Sequence, residues 1–385
     1  MKNKIPEVLL VTRPLTPPWD EASKNLAYFL ATKIEGLKFH ILVGEYNPSL
    51  PKNITQHLIY KGPEWNLKQR LRLLLSLRKI LADNPEINIV HLLFAPTPIN
   101  SLILKIILKK PHLKIIHNLA CPPRKDARGL LFGDKAIVYS KHTAGKIRKK
   151  NISIIAPFID SERFQPITRK AREVLRRKFE ITPNDQALLY PGEYSRLDAM
   201  GLLWRTFLKL KHYESKKKRE NPTFKKNYKL LMACRIKSKE DQIKEDKFKK
   251  LVELSPYSKD VIFLGKITKP ERMYQISDLT LFPAKKMEGK FDFPFVLLES
   301  LACGTPILTS DVGALPEIWS GNKKMKENFI FNPKEEERVS QKIRKILSQE
   351  RLKQSPILTE WVKNNFNQEI ALKKYAQIYE SIDKK

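Results

Sequence analysis

The sequence contains little cysteine, and it lacks long apolar runs altogether. Its 385 residues include three cysteines, too few and too scattered for a disulfide framework or a zinc cluster. No stretch approaches the roughly 20 apolar residues that a membrane-spanning helix needs, and the first apolar run is too short for a signal-peptide core. Walker-type loops and glycine-rich dinucleotide fingerprints are also missing. These absences argue against a disulfide-rich secreted domain and an integral membrane protein, and they predict a protein of the reducing cytoplasm.

Acidic residues are also scarce relative to basic ones. The chain has 73 Lys and Arg against 41 Asp and Glu, a formal net charge of +32. Such a charge favours a polyanionic partner, namely nucleic acid, an anionic membrane surface or a phosphorylated substrate. The alternative, equally weighted, is a solvated lysine-rich surface. No nucleic-acid module is recognisable and aromatic residues do not alternate with the basic runs, so no specific nucleic-acid partner is expected.

Apolar strands and amphipathic helices alternate along almost the whole chain. This alternation predicts parallel sheets covered by helices on both faces. A second run of the same kind begins near Ala187, after a Pro-containing stretch at residues 157–170. We therefore predict an α/β protein of two doubly wound, Rossmann-like domains, residues 1–160 and 170–354, that face a central cleft.

The segment from Gly289 to Ile318 is the most informative part of the sequence. It predicts a loop, a helix that begins at Pro294 and stops at Gly304, and a buried strand over residues 305–309. The N-terminus of a helix presents unsatisfied N–H groups and the positive end of a dipole, which suits a phosphate. Glu299 lies just over one turn into this helix, where its carboxylate can reach hydroxyl groups of a ligand held at the helix start.

This segment resembles the sugar-nucleotide site of the family-four retaining glycosyltransferases, which have the GT-B fold. The matching residues are Glu299, Cys303, Gly304, Thr305, Pro306, Asp311, Gly313, Leu315, Pro316 and Glu317. The resemblance gives Glu299 the role of the family's second glutamate, which binds the ribose of the donor. Phe291 replaces the first glutamate, so that either Glu288 or Asp292 is expected to hold the donor sugar; Asp292 is favoured because it lies nearer the helix start. The helix start itself contributes Pro294, Phe295 and Val296 to the predicted donor site.

The diphosphate of a donor needs cations or N–H groups. The family usually places an arginine directly after a glycine that follows the first C-terminal strand, but here Glu193 follows Gly192, and Arg196 is the only base of the loop. Arg196 is therefore expected to contact the diphosphate. Arg235 and Lys237 follow a later strand, at the carboxyl end where open α/β sheets bind ligands. For Arg235, a diphosphate contact and a solvated surface charge are equally good interpretations.

Two N-terminal features concern the acceptor. His117 ends a predicted strand and matches the acceptor-site histidine of the family, so the predicted catalytic residues are His117, Asp292 and Glu299. Residues 65–81 predict a helix with apolar residues on one side and bases on the rest. That composition is typical of a helix that lies in a membrane interface, and also of an ordinary amphipathic helix packed on a sheet. The C-terminal helix, residues 355–385, is expected by resemblance to pack back on the N-terminal domain.

The resemblance implies a hexosyltransferase that moves a sugar from a nucleoside diphosphate sugar to a glycan or lipid-linked acceptor, with roles in cell-envelope glycan synthesis. The protein would be cytoplasmic, in one interpretation peripheral at the inner face of the membrane. No cofactor is expected besides the donor. Because the chain has no Asp-x-Asp signature, no metal is expected either. The alternatives are a GT-B sugar-nucleotide epimerase, a basic nucleic-acid-binding protein and a degenerate transferase that only binds.

Overall fold

A computed structural model describes residues 5–15, 21–61, 66–124, 129–147, 149–236, 238–265, 267–349 and 351–383. The chain divides into two compact units. Unit 1 consists of Met1–Pro157, Gly289–Asp292 and Gln368–Lys385, and unit 2 consists of Phe158–Glu288 and Phe293–Asn367. Among the described helices, none combines the length and the apolar composition required to cross a bilayer.

Strands and helices alternate as the sequence pattern predicts. The strands are β1 (Glu7–Val11), β2 (Lys38–Val43), β3 (Ile54–Leu58), β4 (Ile89–Leu92), β5 (Lys114–Leu119), β6 (Lys135–Val138), β7 (Ile152–Ile154), β8 (Asp185–Tyr190), β9 (Asn227–Met232), β10 (Val261–Phe263), β11 (Leu279–Phe282), β12 (Ile307–Ser310) and β13 (Ile330–Phe331). The helices are α1 (Ala22–Lys33), α2 (Leu67–Asp83), α3 (Pro98–Ile107), α4 (Lys141–Ala144), α5 (Arg169–Arg177), α6 (Met200–Glu220), α7 (Lys239–Glu253), α8 (Pro270–Ile276), α9 (Phe295–Ala302), α10 (Lys323–Phe329), α11 (Glu336–Ser348), α12 (Arg351–Asn365) and α13 (Gln368–Asp383). Short 3₁₀ helices occupy Ser258–Asp260 and Leu315–Trp319.

Unit 1 is built on a parallel sheet with the strand order β3-β2-β1-β4-β5-β6-β7 among the described residues. The chain first winds outward from β1 and then, from β4, in the opposite direction, which is the doubly wound arrangement. Every residue of β1 and β4 is buried, as expected for strands covered on both faces. Helices α2 and α3 pack on one face. On the other face Tyr379 of α13 contacts Phe39 and hydrogen-bonds His91.

Unit 2 repeats the design on a second parallel sheet, with the order β10-β9-β8-β11-β12-β13 in the described part of the chain. The direction of winding reverses between β8 and β11. A partly buried ionic network lies at the amino end of β11, where Asp278 accepts hydrogen bonds from Arg172 at 2.6 Å and Arg176 at 2.9 Å. The main-chain N–H of Ala187 donates to the same carboxylate at 2.8 Å. This network fixes α5 against the edge of the sheet.

The two parallel α/β sheets confirm the predicted fold class. The sequence pattern predicts a helix over residues 201–211 followed by a basic surface loop over residues 213–227, whereas helix α6 continues to Glu220. Glu214 accounts for this extension: its buried carboxylate accepts hydrogen bonds from Lys211 and Lys218, each at 2.6 Å, and from the N–H of Tyr228 at 3.0 Å. Ion pairs within the helix therefore balance the charge of these two lysines, and the hydrogen bond to Tyr228 holds the helix against β9.

The C-terminal segment also differs from the prediction of one helix over residues 355–385. Two helices are present, α12 in unit 2 and α13 in unit 1, and the chain leaves helical geometry at residues 366–367. Phe366 is buried at this break, where its ring lies 5.8 Å from that of Phe293 and its carbonyl accepts the N–H of Ile159 at 3.2 Å. Burial of this ring, and the use of its carbonyl by another segment, end the first helix.

Candidate functional site

The carboxyl edge of the unit 2 sheet gathers most of the predicted donor residues. The loops that follow β8, β9 and β11 all leave the sheet at this edge, on either side of the point where the winding reverses. The N–H of Lys285 donates to the carbonyl of Leu197 at 2.9 Å, so the loop after β11 is joined to the loop after β8. In open α/β sheets this is the position at which ligands bind.

The loop after β8 is shaped by a tyrosine. The ring of Tyr190 is fully buried, and its hydroxyl donates to the carbonyl of Glu193 at 2.9 Å. A Cβ atom on Gly192 would lie 2.1 Å from Cζ of that ring, so only glycine fits there. Arg196, four residues on, is exposed, and its guanidinium has no partner in the described part of the chain. The loop thus presents one available cation at the edge of the sheet.

Glu299 is held by helix α9. Leu298, Leu301 and Ala302 bury the inner side of this helix, and Gly304, with φ of +70°, ends it. The hydroxyl of Tyr274 donates to Oε2 of the half-buried Glu299 carboxylate at 2.6 Å. Burial raises the pKa of Glu299 to about 6, even though the Tyr274 hydrogen bond lowers it.

The remaining influences on this carboxylate come from charged side chains. Arg163 and Arg235 lower the pKa of Glu299 by their positive charge, and Glu271 raises it. Arg163 also donates from Nε to Glu271 at 3.3 Å. Arg235 is exposed after β9, close enough to act electrostatically on Glu299. These contacts bring two of the predicted donor residues, Arg235 and Glu299, into one electrostatic group.

Sequence patterns did not identify Tyr274, Arg163 or Glu271 as part of this group. Tyr274 lies in α8, and Arg163 lies in the segment between the two runs of alternating elements. No sequence pattern identifies these residues, because Tyr274 joins the group through a hydrogen bond to Glu299, which lies 25 positions away along the chain.

The two carboxylates that flank Phe291 have different surroundings. Asp292 belongs to unit 1 and is 3% exposed. It accepts hydrogen bonds from the hydroxyls of Ser140 at 2.5 Å and Thr143 at 2.9 Å, one on each oxygen. Its N–H donates to the carbonyl of Ala120 at 2.8 Å. Glu288 is exposed in unit 2, and its carboxylate has no partner among the residues described. Glu288 is therefore the carboxylate with free hydrogen-bonding capacity.

The start of α9 is close to the prediction. The helix begins at Phe295, with Pro294 as its cap, and the N–H of Leu297 donates to the carbonyl of Pro294 at 2.9 Å. Phe295 and Val296 are partly buried. Lys237, another predicted donor residue, lies outside the described residues.

His117 lies in β5 of unit 1 and is 2% exposed. Its ring packs edge-on against Phe132, with centroids 4.9 Å apart. Burial lowers the pKa of His117 to about 4, with a smaller contribution from the charge of Lys149. The ring is thus neutral near pH 7, and Nε2 has no hydrogen-bond partner among the described residues.

Cysteine residues near the candidate donor site are small buried side chains. Cys234 and Cys303 are buried and free. Burial raises the pKa of both thiols, that of Cys303 to about 12. Neither side chain forms an appreciable amount of thiolate at neutral pH, so neither is a nucleophile.

Glu7, His40 and Glu86 form a group with metal-ligand chemistry at the amino edge of the unit 1 sheet, with ligand atoms within 4.8 Å of one another. Most of these atoms already have protein partners. Glu7 accepts from Lys38 at 2.8 Å and contacts Nε2 of His40 at 3.1 Å, and Nδ1 of His40 lies 3.0 Å from Nε2 of His57. Glu7 and His40 are therefore already bonded within the protein, on the edge of the sheet opposite to the strands' carboxyl ends.

Comparison with protein families decides what kind of protein this is. The model of the family described as glycosyl transferases group 1 matches residues 173–365, which is half of the chain. The chain belongs to the group 1 glycosyltransferases. The match covers the loop after β8, the strand end that carries Arg235 and the whole of α9, so the resemblance in the sequence is confirmed. No curated protein sequence matches this group 1 glycosyltransferase.

Solved structures with the same fold extend over nearly the entire chain. A glycosyltransferase from Rickettsia africae is 18% identical with a TM-score of 0.71, covering 99% of both chains. Sucrose-phosphate synthase from Thermosynechococcus elongatus is 14% identical with a TM-score of 0.71, covering 98% of this chain and 99% of its own. Alr3699/HepE from Anabaena, in complex with UDP-glucose, is 14% identical with a TM-score of 0.67, covering 97% of this chain and 99% of its own. The fold of this glycosyltransferase is therefore GT-B.

Proposed function

We propose that this glycosyltransferase moves a sugar, with retention of anomeric configuration, from a nucleoside diphosphate sugar to a glycan or a lipid-linked acceptor. The observation that carries the proposal is the state of Glu299. Tyr274 holds one of its carboxylate oxygens at 2.6 Å, and Oε1 has no partner among the described residues. A carboxylate with one oxygen fixed and one available suits the hydroxyl groups of a ribose. The UDP-glucose complex of the similar Anabaena protein supports a nucleotide sugar as the donor class.

Arg196 and Arg235 are our candidates for the diphosphate. Both are exposed after strands of the unit 2 sheet, at the edge where the α9 helix begins. Arginine grips phosphate oxygens with two parallel hydrogen bonds, and it stabilises the negative charge that develops as the diphosphate leaves. Gly192 keeps the loop of Arg196 close to the sheet, and the start of α9 at Pro294, Phe295 and Val296 adds the positive end of a helix dipole.

For the donor sugar we assign Glu288 as the hydroxyl acceptor, because the carboxylate of Asp292 is buried and already bonded to Ser140 and Thr143. Asp292 then acts as a positioning residue within unit 1, since its main-chain and side-chain bonds fix residues 289–292 there. His117 is assigned to the acceptor side on the family resemblance. Its neutral ring has an unpartnered Nε2, which can bond a hydroxyl without carrying charge.

Donor binding tests the proposal directly. Calorimetry with UDP-, GDP- and ADP-sugars should identify one donor that binds the wild-type chain. Glu299→Gln should weaken that donor at least about tenfold, because a hydrogen bond to a charged group contributes about 1.5–3 kcal/mol. Arg196→Ala should weaken it similarly. Glu253→Gln and Arg219→Ala, exposed residues near the C-terminal ends of α7 and α6, are the matched controls and should bind normally.

The class of reaction is tested on the product. Once an acceptor is found, proton NMR of the new glycosidic bond reports retention or inversion, and addition of EDTA tests whether transfer proceeds without a divalent metal. Donor that is epimerised without any acceptor would identify an epimerase instead. Folded protein that binds none of the donors would contradict the proposal.

A further inference from the structure

Helices α2 and α3 of unit 1 expose an unusual amount of apolar surface. Six aliphatic side chains on them are between 53% and 78% exposed: Leu67, Leu71, Leu75, Ile99, Leu102 and Ile106. We call this set the α2–α3 face. Single exposed aliphatic residues are common on soluble proteins, whereas a cluster of six on two neighbouring helices marks an interaction site.

The six side chains point in a common direction. On α2, Leu73 and Leu77 are buried in the same apolar core as Leu104 of α3, so both helices pack on one face of the sheet. They also pack against each other. The exposed leucines of α2 recur every fourth residue, on the stripe opposite the buried one. The exposed residues of α3 recur at intervals of three and four residues, opposite the buried Ser101 and Leu104, so the outward stripes of both helices face away from the sheet together.

The same two helices carry many basic residues. Residues 67–83 and 98–107 contain six bases and one acid, Asp83. The bases are Lys68, Arg70, Arg72, Arg78, Lys79 and Lys105. Lys68, Arg78, Lys79 and Lys105 have no carboxylate partner in the described part of the chain. Aliphatic side chains flanked by unpaired cations are the arrangement by which a helix lies in the interface of an anionic bilayer.

We propose that the α2–α3 face docks the protein on a bilayer that contains anionic lipids. A second copy of the chain fits this face less well, because pairing it with itself would bring two sets of like charges together. Single-stranded nucleic acid is bound through aromatic side chains on which bases stack, and the exposed residues of this face are aliphatic. The inference is independent of the donor site, which lies in unit 2.

Vesicle flotation with the full chain tests this proposal. The wild type should float with vesicles of phosphatidylcholine and phosphatidylglycerol and stay in solution with phosphatidylcholine alone. A variant that combines Leu71→Gln, Leu75→Gln, Leu102→Gln and Ile106→Gln should partition at least tenfold less. Because these positions are exposed, circular dichroism and the melting temperature should be unchanged. The matched control, Ile243→Gln with Leu254→Gln, alters residues of unit 2 that are 54% and 88% exposed, and should float like the wild type.

A second variant reports insertion itself. Tryptophan at Leu75→Trp should shift its emission to the blue with anionic vesicles and be quenched by brominated lipid. The proposal is overturned if the fourfold variant floats as well as the wild type, since binding would then reflect the net charge alone. It is also overturned if the wild type is a dimer that the fourfold variant converts to a monomer, or if nucleic acid binds this face in place of vesicles.

Discussion

Removal of one hydroxyl should change the charge state of Glu299 without changing its position. The Tyr274→Phe variant removes the hydroxyl that donates to Glu299 at 2.6 Å. That bond lowers the pKa of a carboxyl group that burial has raised to about 6. A hydrogen bond to a charged group contributes about 1.5–3 kcal/mol, and one pKa unit corresponds to about 1.4 kcal/mol. The pKa of Glu299 in the variant should therefore rise by about one to two units, to roughly 7–8.

The expected consequence is a pH-dependent loss of donor binding. With a pKa of about 6, roughly nine-tenths of the Glu299 side chains are ionised at pH 7, whereas a pKa of 7–8 leaves between about a half and a tenth ionised. If the ionised carboxylate holds the ribose, the affinity of the variant for a nucleoside diphosphate should fall by about two- to tenfold at pH 7. It should return close to the wild-type value near pH 9.

Calorimetric titration with UDP, or with whichever nucleotide the donor screen identifies, gives this profile between pH 6 and pH 9. Tyr60→Phe is the matched control, because it also removes a buried hydroxyl, one that donates to the carbonyl of Thr12 in unit 1. The control should follow the wild-type profile. A loss in Tyr274→Phe that persists at pH 9 would show that Tyr274 acts by shape, and an unchanged pH midpoint would refute the role given to the Glu299 charge.

Three further predictions concern stability. Because folding raises the pKa of Glu299 from 4.5 to about 6, the ionised carboxylate destabilises the folded protein, fully above pH 6 and not at all below pH 4.5. The Glu299→Gln variant should therefore be more stable than the wild type by up to about 2 kcal/mol at pH 8 and equally stable at pH 4, as thermal unfolding would report. Asp278→Asn should cost about 3–5 kcal/mol in urea unfolding at pH 7, since it leaves the buried Arg176 and the partly buried Arg172 without their carboxylate, and a cost below 1 kcal/mol would contradict the importance of this network. Gly304→Ala should lower the melting temperature more than Gly36→Ala. Both glycines have positive φ, but of the two only Gly304 has a neighbour in the way, since its new Cβ would lie 1.8 Å from Oγ of Ser355. Equal losses in the two variants would mean that Ser355 moves aside freely.

The fold could be predicted because most strands are short apolar runs that are visible in the local sequence. Runs such as residues 7–11 and 279–282 are apolar throughout, and parallel strands buried on both faces require that composition. Strand β3 escaped prediction for the same reason, since residues 54–58 include Thr55, Gln56 and His57 and lie at the border of the sheet. An edge strand needs less apolar surface, so its sequence resembles that of a loop.

The candidate donor site could be predicted only where its residues lie in one continuous segment of the sequence. Gly304 and Glu299 lie in one ordered segment, and the family match to residues 173–365 includes them. Tyr274 was not predicted, because its role depends on α8 packing beside α9. The extension of α6 was missed because charge-rich sequence indicates a solvated loop unless the pairing of Glu214 with Lys211 and Lys218 is known.

The choice between Asp292 and Glu288 shows what decides whether a carboxylate can serve a ligand. The short distance along the sequence from the start of α9 favoured Asp292. That distance does not show whether the carboxylate oxygens already accept hydrogen bonds from other residues. Both oxygens of Asp292 accept hydroxyl protons within unit 1. A sugar would have to displace Ser140 and Thr143, and leave their buried hydroxyls without a partner, before it gained a bond of its own. Glu288 is exposed and would exchange only water. In the donor site that we propose, which must bind and release its donor in every cycle, the carboxylate with unused hydrogen-bonding capacity is therefore the better candidate.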